Sequence, residues 1–443
     1  MPFLDKKHYL YAYQINIPMK RLYIVTVLAL CSVALCAQTS REFVAANPCV
    51  TGGVYYAYPT TEAVSTPAPK GYRPFYISHY GRHGSRWLIS PKDYTSMIDV
   101  MQRADKAGAL TLLGKDVLRR LNIIYEDAKG LEGELTPVGV KQHRGIAERM
   151  YANYGDVFSG NARVSARSTV VVRCVLSMAA FCERLKELNP QLNLTRETGQ
   201  RFMGYLCGGT KEADEFKSHD NPWHETYKAF EASHTHPDRL VASLFADNTY
   251  VEANVAKARL MRGLFAIAGD LQNTETGISL YDVFTADELF DLWQIGNFYN
   301  YVTYGPAPVN GGLIAATAKN LLSEIIESAD KAIADGGNGA TLRFGHDGNI
   351  TPLVALMHLE GGYGQQTNPE LFYSAWCNFQ VSPMASNVQI VFFRNKAGDV
   401  IVKFLHNERE VAIPIETDIA PYYHWDSVKS YFKDIISSVV AKN

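Results

Sequence analysis

The stretch YRPFYISHYGRHGSR, residues 72–86, decides the fold and carries the most informative residues of the chain. Its first half, YRPFYIS, has the aromatic and β-branched composition of a strand. Its second half is a Gly-containing turn in which His83 stands between Arg82 and Arg86. Guanidinium groups bind tetrahedral oxyanions through paired hydrogen bonds, and a histidine held between them can attack the bound phosphorus. The stretch therefore predicts a phosphate pocket at a strand end, although an Arg-His-Gly triplet also arises often by chance.

A second segment, VSARSTVVVRCVLSMAAFCERL (residues 164–185), predicts a buried helix that carries an arginine. We expect Ser168 or Thr169 to cap this helix, because the residues that follow are apolar nearly all round. Arg173 lies in the middle of the apolar run, and Ser177 lies four residues on, over the same face. A buried arginine without an anionic partner is very costly. Arg173 therefore pairs either with an internal carboxylate, as a structural ion pair, or with a bound anion.

A third segment, TLRFGHDGNITPL (residues 341–353), predicts a strand, a loop and a helix. Thr351 is the expected N-cap and Pro352 the first helical residue. The two glycines at 361–362 are expected to end this helix. The dipeptide at 346–347 then lies in a strand-to-helix loop, which is where α/β sheets bind their ligands.

That dipeptide is His346-Asp347. A carboxyl group beside an anion pocket has its pKa raised by nearby negative charge and lowered by the arginines. Asp347 can therefore hold a proton and transfer it to a leaving oxygen. The alternative is an aspartate that only caps the helix, which is the commoner role of a lone Asp in such a loop.

Together these segments resemble the histidine phosphatase superfamily, and within it the second branch of histidine acid phosphatases and phytases. The marks of that branch are Arg-His-Gly-x-Arg, a later Arg ahead of a Ser, and a late His-Asp. They are matched here at residues 82–86, at 173 and 177, and at 346–347. The segment LTPVG at 135–139 is similar to a further mark, Leu-Thr-x-x-Gly. The resemblance spans residues from about 50 to 415.

Two other stretches, RCVLSMAAF (173–181) and VSPMASNVQIVFF (381–393), are similar to the multiple inositol polyphosphate phosphatases. That subgroup usually carries His-Ala-Glu where this chain has His346-Asp347-Gly348. Asp at this position is the proton donor in most of the branch, so the departure concerns the substrate and not the chemistry. Phytate and other phosphomonoesters, such as sugar phosphates, both remain candidate substrates.

The resemblance implies that His83 attacks phosphorus and becomes a phosphohistidine, and that Asp347 protonates the leaving group. It implies that basic side chains hold the phosphoryl oxygens: Arg82, Arg86, Arg173 and His346. Arg167, close to the last of these arginines in sequence, is a candidate for a supporting or substrate contact. We expect no metal and no cofactor, because the arginines supply the positive charge.

Other functions stay open at this stage. A phosphomutase of the same superfamily would return the phosphoryl group to another hydroxyl, but a signal segment and a helical insert argue against a cytoplasmic mutase. A broad-specificity or sugar-phosphate acid phosphatase would use the same residues. A phosphate-binding protein without turnover would keep the arginines and lose His83 or Asp347, and this chain keeps both.

Composition limits the class of protein. The chain has 443 residues, 47% of them hydrophobic, and a formal net charge of −2, which fits one large or two smaller domains. The charge balance gives no reason to expect nucleic acid as a partner, and the oligomeric state stays open.

Cys174 and Cys182 lie too far apart on one predicted helix to form a disulfide, and we expect them in the core. His234 and His236 are a weak metal pair, more typical of a solvated loop.

The N-terminal segment predicts export. MKRLYIVTVLALCSVALCA, residues 19–37, has a positive start, an apolar stretch and a small-residue cleavage zone, so residues 1–37 are expected to be a signal segment. Residues 1–18 are unusual ahead of such a signal, which makes Met19 an alternative start. Cleavage after Ala37 would give a periplasmic or secreted protein, and a lipoprotein anchor is the weaker alternative. The remaining five cysteines are an odd number, so at least one lacks an intramolecular partner.

Periodicity along the rest of the chain predicts an α/β fold, a sheet core flanked by helices with an inserted all-α cap. Strands are expected near 72–79, 162–166, 191–196, 341–345, 387–394 and 399–406. Apolar residues at helical spacing dominate the middle of the chain. The predicted divisions are a core at 50–204 and 336–443 and a helical cap at 205–335. No further stretch is long and apolar enough to span a membrane.

Overall fold

The structure, a computed structural model, describes residues 41–59 and 65–440. Its centre is a mixed sheet of eight strands in the described part of the chain. The strands are β1 (Arg73–Arg82), β2 (Arg163–Ser168), β3 (Asn193–Thr198), β4 (Gly339–Gly345), β5 (Asn387–Arg394), β6 (Val400–His406), β7 (Arg409–Val411) and β8 (Tyr423–His424). Across the sheet they lie in the order β3-β2-β4-β1-β5-β6-β7, and β8 pairs with β6.

The strand directions explain where the site lies. β1, β2, β3 and β4 run parallel to their neighbours among themselves, while β5 runs antiparallel to β1 on its other side. β1 is therefore an interior strand, and its apolar run is buried on both faces. All six predicted strands are confirmed. β7 and β8, with three and two residues, escaped prediction because they are too short to show alternation.

Helices surround this sheet. They are α1 (Arg41–Ala46), α2 (Pro91–Lys106), α3 (Leu112–Ala128), α4 (Pro137–Asn153), α5 (Val172–Leu188), α6 (Gln200–Leu206), α7 (Lys211–Lys217), α8 (Trp223–Ser233), α9 (Asp238–Leu244), α10 (Asn248–Asn254), α11 (Lys257–Asp270), α12 (Ala286–Thr303), α13 (Leu313–Ala316), α14 (Lys319–Asp335), α15 (Asp347–Leu356), α16 (Phe372–Ala375), α17 (Asn378–Val381) and α18 (Trp425–Val440). The α/β fold class is thereby confirmed.

The helical insert lies between β3 and β4, where the described chain forms helices from α6 to α14. It is packed against the sheet core and does not stand apart from it. For example, the Tyr80 hydroxyl of β1 donates to the Leu206 carbonyl of α6 at 2.9 Å, and both residues belong to one cluster of buried side chains. The limits of 205 and 335 for a separate cap domain stay a prediction.

The predicted start of the helix after β4 is wrong. α15 begins at Asp347, with His346 as its N-cap, so that Pro352 lies inside the helix and Thr351 does not cap it. The strand passes into the helix after a single residue, and the helix tolerates the proline because nearly all of its remaining side chains are buried. The helix ends at Leu356, ahead of the glycines at 361–362.

The prediction for the segment after β2 also needs correction. Ser168 is the last residue of β2 and the Thr169 N–H bonds to the Phe344 carbonyl, so neither residue caps α5, which begins at Val172. Arg173 is consequently the second residue of α5 and does not lie in its middle. The helix is also not buried all round, because Val172 and Leu176 are 59% and 42% exposed.

The described cysteines form no disulfide. Cys174 and Cys182 are buried, as predicted, and Cys377 is buried as well, while Cys49 and Cys207 are exposed. No helix within the described residues is long and apolar enough to cross a membrane. The predicted signal segment lies outside the described residues.

Candidate active site

Three parallel strands end at one edge of the sheet and bring the three sequence motifs together. Arg82 at the end of β1 is in register with Gly345 at the end of β4, and Ser168 at the end of β2 is in register with Phe344. The His83 N–H then donates to the Gly345 carbonyl at 2.9 Å. The residues that follow each strand therefore surround one position, as expected for parallel strands.

The His83 side chain is buried and fixed in orientation. Its Nδ1 lies 2.9 Å from the Gly84 carbonyl and donates to it, which leaves Nε2 with a free lone pair. Burial, followed by the Arg82 and Arg173 guanidinium groups, holds the pKa of the His83 imidazole well below its usual range. His83 is thus held as a neutral base with one nitrogen available for attack.

The loop that carries His83 is held by two close contacts. The Gly84 N–H donates to Ser177 Oγ at 3.1 Å, and this hydroxyl donates to the Arg173 carbonyl at 2.8 Å. A Cβ on Gly84 would lie 2.6 Å from the Gly139 carbonyl oxygen at the start of α4. Gly84 and Gly139 approach each other so closely that both positions require glycine, which explains why the LTPVG segment accompanies the Arg-His-Gly motif.

Arg82 is the most firmly anchored of the arginines. Its side chain is 1% exposed, and Nη1 donates to the Ser382 carbonyl at 2.7 Å and to the Val54 carbonyl. Nη2 lies 3.2 Å from Asp347 Oδ2, which makes an ion pair. Arg82 therefore links the phosphate-side loop directly to the predicted proton donor.

Arg86 and Arg173 form no ion pair with a carboxylate among the described residues, and the buried Asp270 acts on Arg86 only from a distance. Arg86 Nη1 donates to the Trp87 carbonyl at 2.8 Å, and its guanidinium lies 5.0 Å from the centroid of the Tyr55 ring. Arg173 makes only a long bond, 3.4 Å, to the Gly133 carbonyl. The Nε atoms of both arginines are buried and without a hydrogen-bond partner. Of the two alternatives for Arg173, this geometry favours a bound anion.

His346 and Asp347 complete the group. The His346 ring lies edge-on to His83 with centroids 5.7 Å apart, and burial together with Arg173 lowers the pKa of His346 to about 4. Burial raises the pKa of Asp347, but the Arg82 guanidinium and the Gly348 N–H, which donates to Oδ1 at 2.9 Å, lower it by more. Asp347 is therefore ionised while the pocket holds no anion.

Arg167 is not brought into this group. On β2 its side chain bonds to Glu324 Oε1 at 3.2 Å, Tyr205 Oη at 3.3 Å and Glu197 Oε2 at 3.5 Å. Because successive side chains of a strand alternate between faces, Arg167 belongs to the face that α14 covers. Its predicted contact with substrate has no support from this geometry.

Sequence reasoning missed the residues that hold Ser85, the middle residue of the loop. Ser85 is fully buried, and its N–H and hydroxyl both bond to the Gln142 amide, at 2.9 and 2.8 Å. The Ser85 hydroxyl donates to Asn273 Oδ1 at 2.6 Å, which ties the loop to the middle of the helical insert, just after α11. Gln142 follows the LTPVG segment closely, whereas nothing in the sequence pattern marks Asn273, 188 residues away.

No group of three or more His, Cys, Asp or Glu side chains in residues 41–59 and 65–440 could hold a metal ion. His234, one of the weak metal candidates, stacks on Phe230 with centroids 3.8 Å apart and lies 3.3 Å from Glu370 Oε2. The candidate site brings together the His83 imidazole, two guanidinium groups open to an anion and one carboxyl group.

The comparisons with known proteins agree with this geometry. The sequence model of the histidine phosphatase superfamily (branch 2) matches residues 82–407, which confirms the resemblance seen in the sequence. The multiple inositol polyphosphate phosphatase of Bifidobacterium longum, solved in complex with inositol hexasulfate, is similar with a TM-score of 0.73 and 20% identity, covering 86% of this chain and 97% of that one. The phytase from D. castellii is similar with a TM-score of 0.65 and 16% identity, covering 89% and 85%. No curated protein sequence matches.

Proposed function

Since the chain belongs to branch 2 of the histidine phosphatase superfamily and is a phosphatase, we propose that it hydrolyses phosphate monoesters through a phosphohistidine on His83. The observation that carries this proposal is the neutral His83 ring, with Nε2 free, beside two arginines that lack a carboxylate partner. A phosphate dianion would supply the missing negative charge and present its phosphorus to Nε2.

In the first step, His83 Nε2 attacks phosphorus and the ester P–O bond breaks. The leaving oxygen takes a proton from Asp347. The Nδ1–H bond to the Gly84 carbonyl persists and stabilises the positive charge that develops on the ring. Arg82, Arg86 and Arg173 offset the charge on the phosphoryl oxygens in the transition state.

The proton on Asp347 follows from substrate binding. In the empty pocket Arg82 keeps this carboxyl ionised. A bound phosphate group shares Arg82 and brings negative charge close to Asp347, which raises the pKa of that carboxyl. In the second step, water attacks the phosphohistidine, Asp347 accepts a proton from the water, the N–P bond breaks, and inorganic phosphate leaves.

We propose inositol polyphosphates as the substrate class, with phytate as its fully phosphorylated member. The support is a structural neighbour that is itself a multiple inositol polyphosphate phosphatase and was solved with inositol hexasulfate. The structural similarity covers nearly the whole length of that protein. Sugar phosphates or a broad range of monoesters are the alternative. The phosphomutase hypothesis has no observation in its favour.

The decisive experiment measures phosphate release from phytate and from 4-nitrophenyl phosphate at acidic pH, with and without a chelator. His83→Ala should abolish release from both substrates while the melting temperature is retained, because the nucleophile is lost. His236→Ala, an exposed histidine of the insert, is the matched control and should keep full activity. Acid-labile, base-stable phosphorylation of the wild type, absent in His83→Ala, would identify the intermediate. Release by His83→Ala within tenfold of wild type contradicts the proposal.

We also propose that the protein is exported, on the basis of the segment at residues 19–37. Expression of the full chain in a bacterial host, followed by fractionation and N-terminal sequencing, tests this. The expected mature protein begins at Gln38 and is found outside the cytoplasm. A cytoplasmic protein that retains Met1 or Met19 contradicts it.

A further inference from the structure

One lysine of the helical insert lies close to the candidate active site. Lys217 is the last residue of α7, and its Nζ lies 4.9 Å from the centroid of the Tyr304 ring. The same ring rests against Gly348, where a Cβ would lie 3.2 Å from Tyr304 Cε1. Gly348 directly follows Asp347 and bonds to its carboxylate. A single aromatic ring therefore separates the lysine ammonium group from the neighbour of the proton donor.

Lys217 is held in this position by the start of α8. Trp223 Nε1 donates to the Phe216 carbonyl at 3.0 Å, and His224 Nε2 donates to the Lys217 carbonyl at 3.2 Å. The indole and imidazole rings stack with centroids 3.7 Å apart. These bonds satisfy two of the last carbonyls of α7 and thereby keep the end of this helix from fraying. The lysine backbone is fixed, so its side chain approaches Tyr304 from a defined direction.

The charge of Lys217 is compensated only in part. In the described part of the chain its side chain forms no ion pair, and burial lowers its pKa, with the nearby Asp214 carboxylate opposing this effect. Lys211, at the other end of the same helix, is 85% exposed and lies 3.4 Å from Glu215 Oε1. The face of the Tyr304 ring compensates only in part for the water that the Lys217 ammonium group loses on burial. An anion placed beside Tyr304 would supply the remaining compensation.

The position of Asp347 sets the direction in which the substrate extends. This carboxyl protonates the leaving oxygen, so the carbon that bears this oxygen lies on its side of the pocket, toward Tyr304. Resting on the proposed phosphatase function, we propose that Lys217 binds a second phosphate group of the substrate, attached to a carbon close to the cleaved ester. The preferred substrate is then a polyol with several phosphate esters, and Lys217 and Tyr304 determine this specificity.

The test compares two probes in three variants. kcat/KM is measured for myo-inositol hexakisphosphate and for 4-nitrophenyl phosphate, which has no second phosphate to reach Lys217. In Lys217→Met the ratio of the two values should fall about tenfold or more, the size expected for one charge-assisted contact, mainly through KM. Lys217→Arg should keep most of the ratio, since it keeps the charge. Lys211→Met is the matched control and should leave the ratio at the wild-type value.

The outcomes separate this inference from the proposed function. Equal ratios in Lys217→Met and Lys211→Met, with wild type active on both probes, would show that Lys217 only covers the Tyr304 ring. Wild-type activity on the aryl phosphate without activity on the hexakisphosphate would overturn the inference and leave the monoesterase proposal standing. A wild type inactive on both probes would remove the proposed function, and this inference with it.

Discussion

Two groups of arginines pack around the same sheet and differ in how their charge is balanced. The open cluster consists of Arg82, Arg86 and Arg173, with Asp347 as the one carboxylate that pairs with it in the described residues. The paired cluster consists of Arg167 and Arg343 with Glu197 and Glu324. In the paired cluster each arginine meets a carboxylate, and Arg343, fully buried, bonds to Glu324.

The difference shows what distinguishes a ligand site from a structural ion pair. The positive charge of a guanidinium that is paired with carboxylates is already balanced within the fold. Arg86 and Arg173 form no ion pair with a carboxylate in the described residues, so their charge is available to an anion. The lack of an ion pair is what separates the clusters, because a guanidinium nitrogen without a hydrogen-bond partner also occurs in Arg343. Charge balance therefore predicts a catalytic role for the open cluster and a structural role for the paired cluster, and substitutions should separate the two.

The largest effect is expected at the carboxylate of the open cluster. Asp347→Asn keeps the shape but cannot donate a proton, so hydrolysis of an alkyl phosphate, which leaves as a basic alkoxide, should fall about 10²- to 10⁴-fold. An activated aryl phosphate leaves as a stable phenolate and should lose much less. Single-turnover rates of leaving-group release measure the difference. Equal losses on both substrates would mean that Asp347 only positions the loop.

A loss of about 10²- to 10³-fold in kcat is expected for Arg173→Met, because one donor to the transition-state oxygens is removed. Its folded state should be no less stable than wild type, since the arginine has no carboxylate to leave behind. Inorganic phosphate should raise the melting temperature of wild type by preferential binding, and this shift should shrink in Arg173→Met. A clear fall in stability without phosphate would place Arg173 among the structural arginines.

The opposite pattern is expected for Arg167→Met in the paired cluster. Its ion pairs with Glu324 and Glu197 are partly buried, so the free energy of unfolding should fall by about 1 kcal/mol. kcat/KM should stay within about twofold of wild type, because surface and structural changes away from a site are usually small in effect. Urea unfolding and steady-state kinetics on the same preparation measure both. A large kinetic loss would restore Arg167 to the substrate contacts.

The sequence predicted much of this organisation because the signals were local. The strand before Arg82, the turn with His83 and the dipeptide His346-Asp347 each lie within a few residues of their structural cause. The start of α15 was misplaced because Thr351-Pro352 has the local chemistry of a helix start, whereas the real start is set by the end of β4. Tertiary structure overrode a local preference there.

What the sequence could not supply is the pairing of charges. Arg167 and Arg173 lie six residues apart, and both follow short apolar or small residues. Only the fold shows that one meets Glu324, 157 residues away, while the other meets a single backbone carbonyl. The same holds for Asn273, which bonds to the loop residue Ser85 from the middle of the insert.

The last comparison concerns two buried histidines whose rings contain nitrogens without a hydrogen-bond partner. His79 and His143 are each 1% exposed, and burial lowers the pKa of each to about 3. Neither ring nitrogen of His143 has a hydrogen-bond partner, and its ring packs on Phe344 with centroids 5.7 Å apart. This imidazole stays neutral in the fold and becomes charged on unfolding once the pH falls below about 6.5.

His143→Phe should therefore change how stability depends on pH. The wild-type histidine contributes fully above pH 6.5, and its contribution is lost as the pH falls toward 3, by up to about 1.4 kcal/mol per pH unit. A phenylalanine of similar size does not titrate, so the variant should lose less stability than wild type across this window. Urea unfolding at several pH values measures the slopes, with His236→Ala as the exposed control. If the slopes of His143→Phe and wild type coincide below pH 6.5, His143 is protonated in the folded protein. The buried His143 imidazole would then accept a proton inside the folded protein, just as we expect the open cluster to accept an anion.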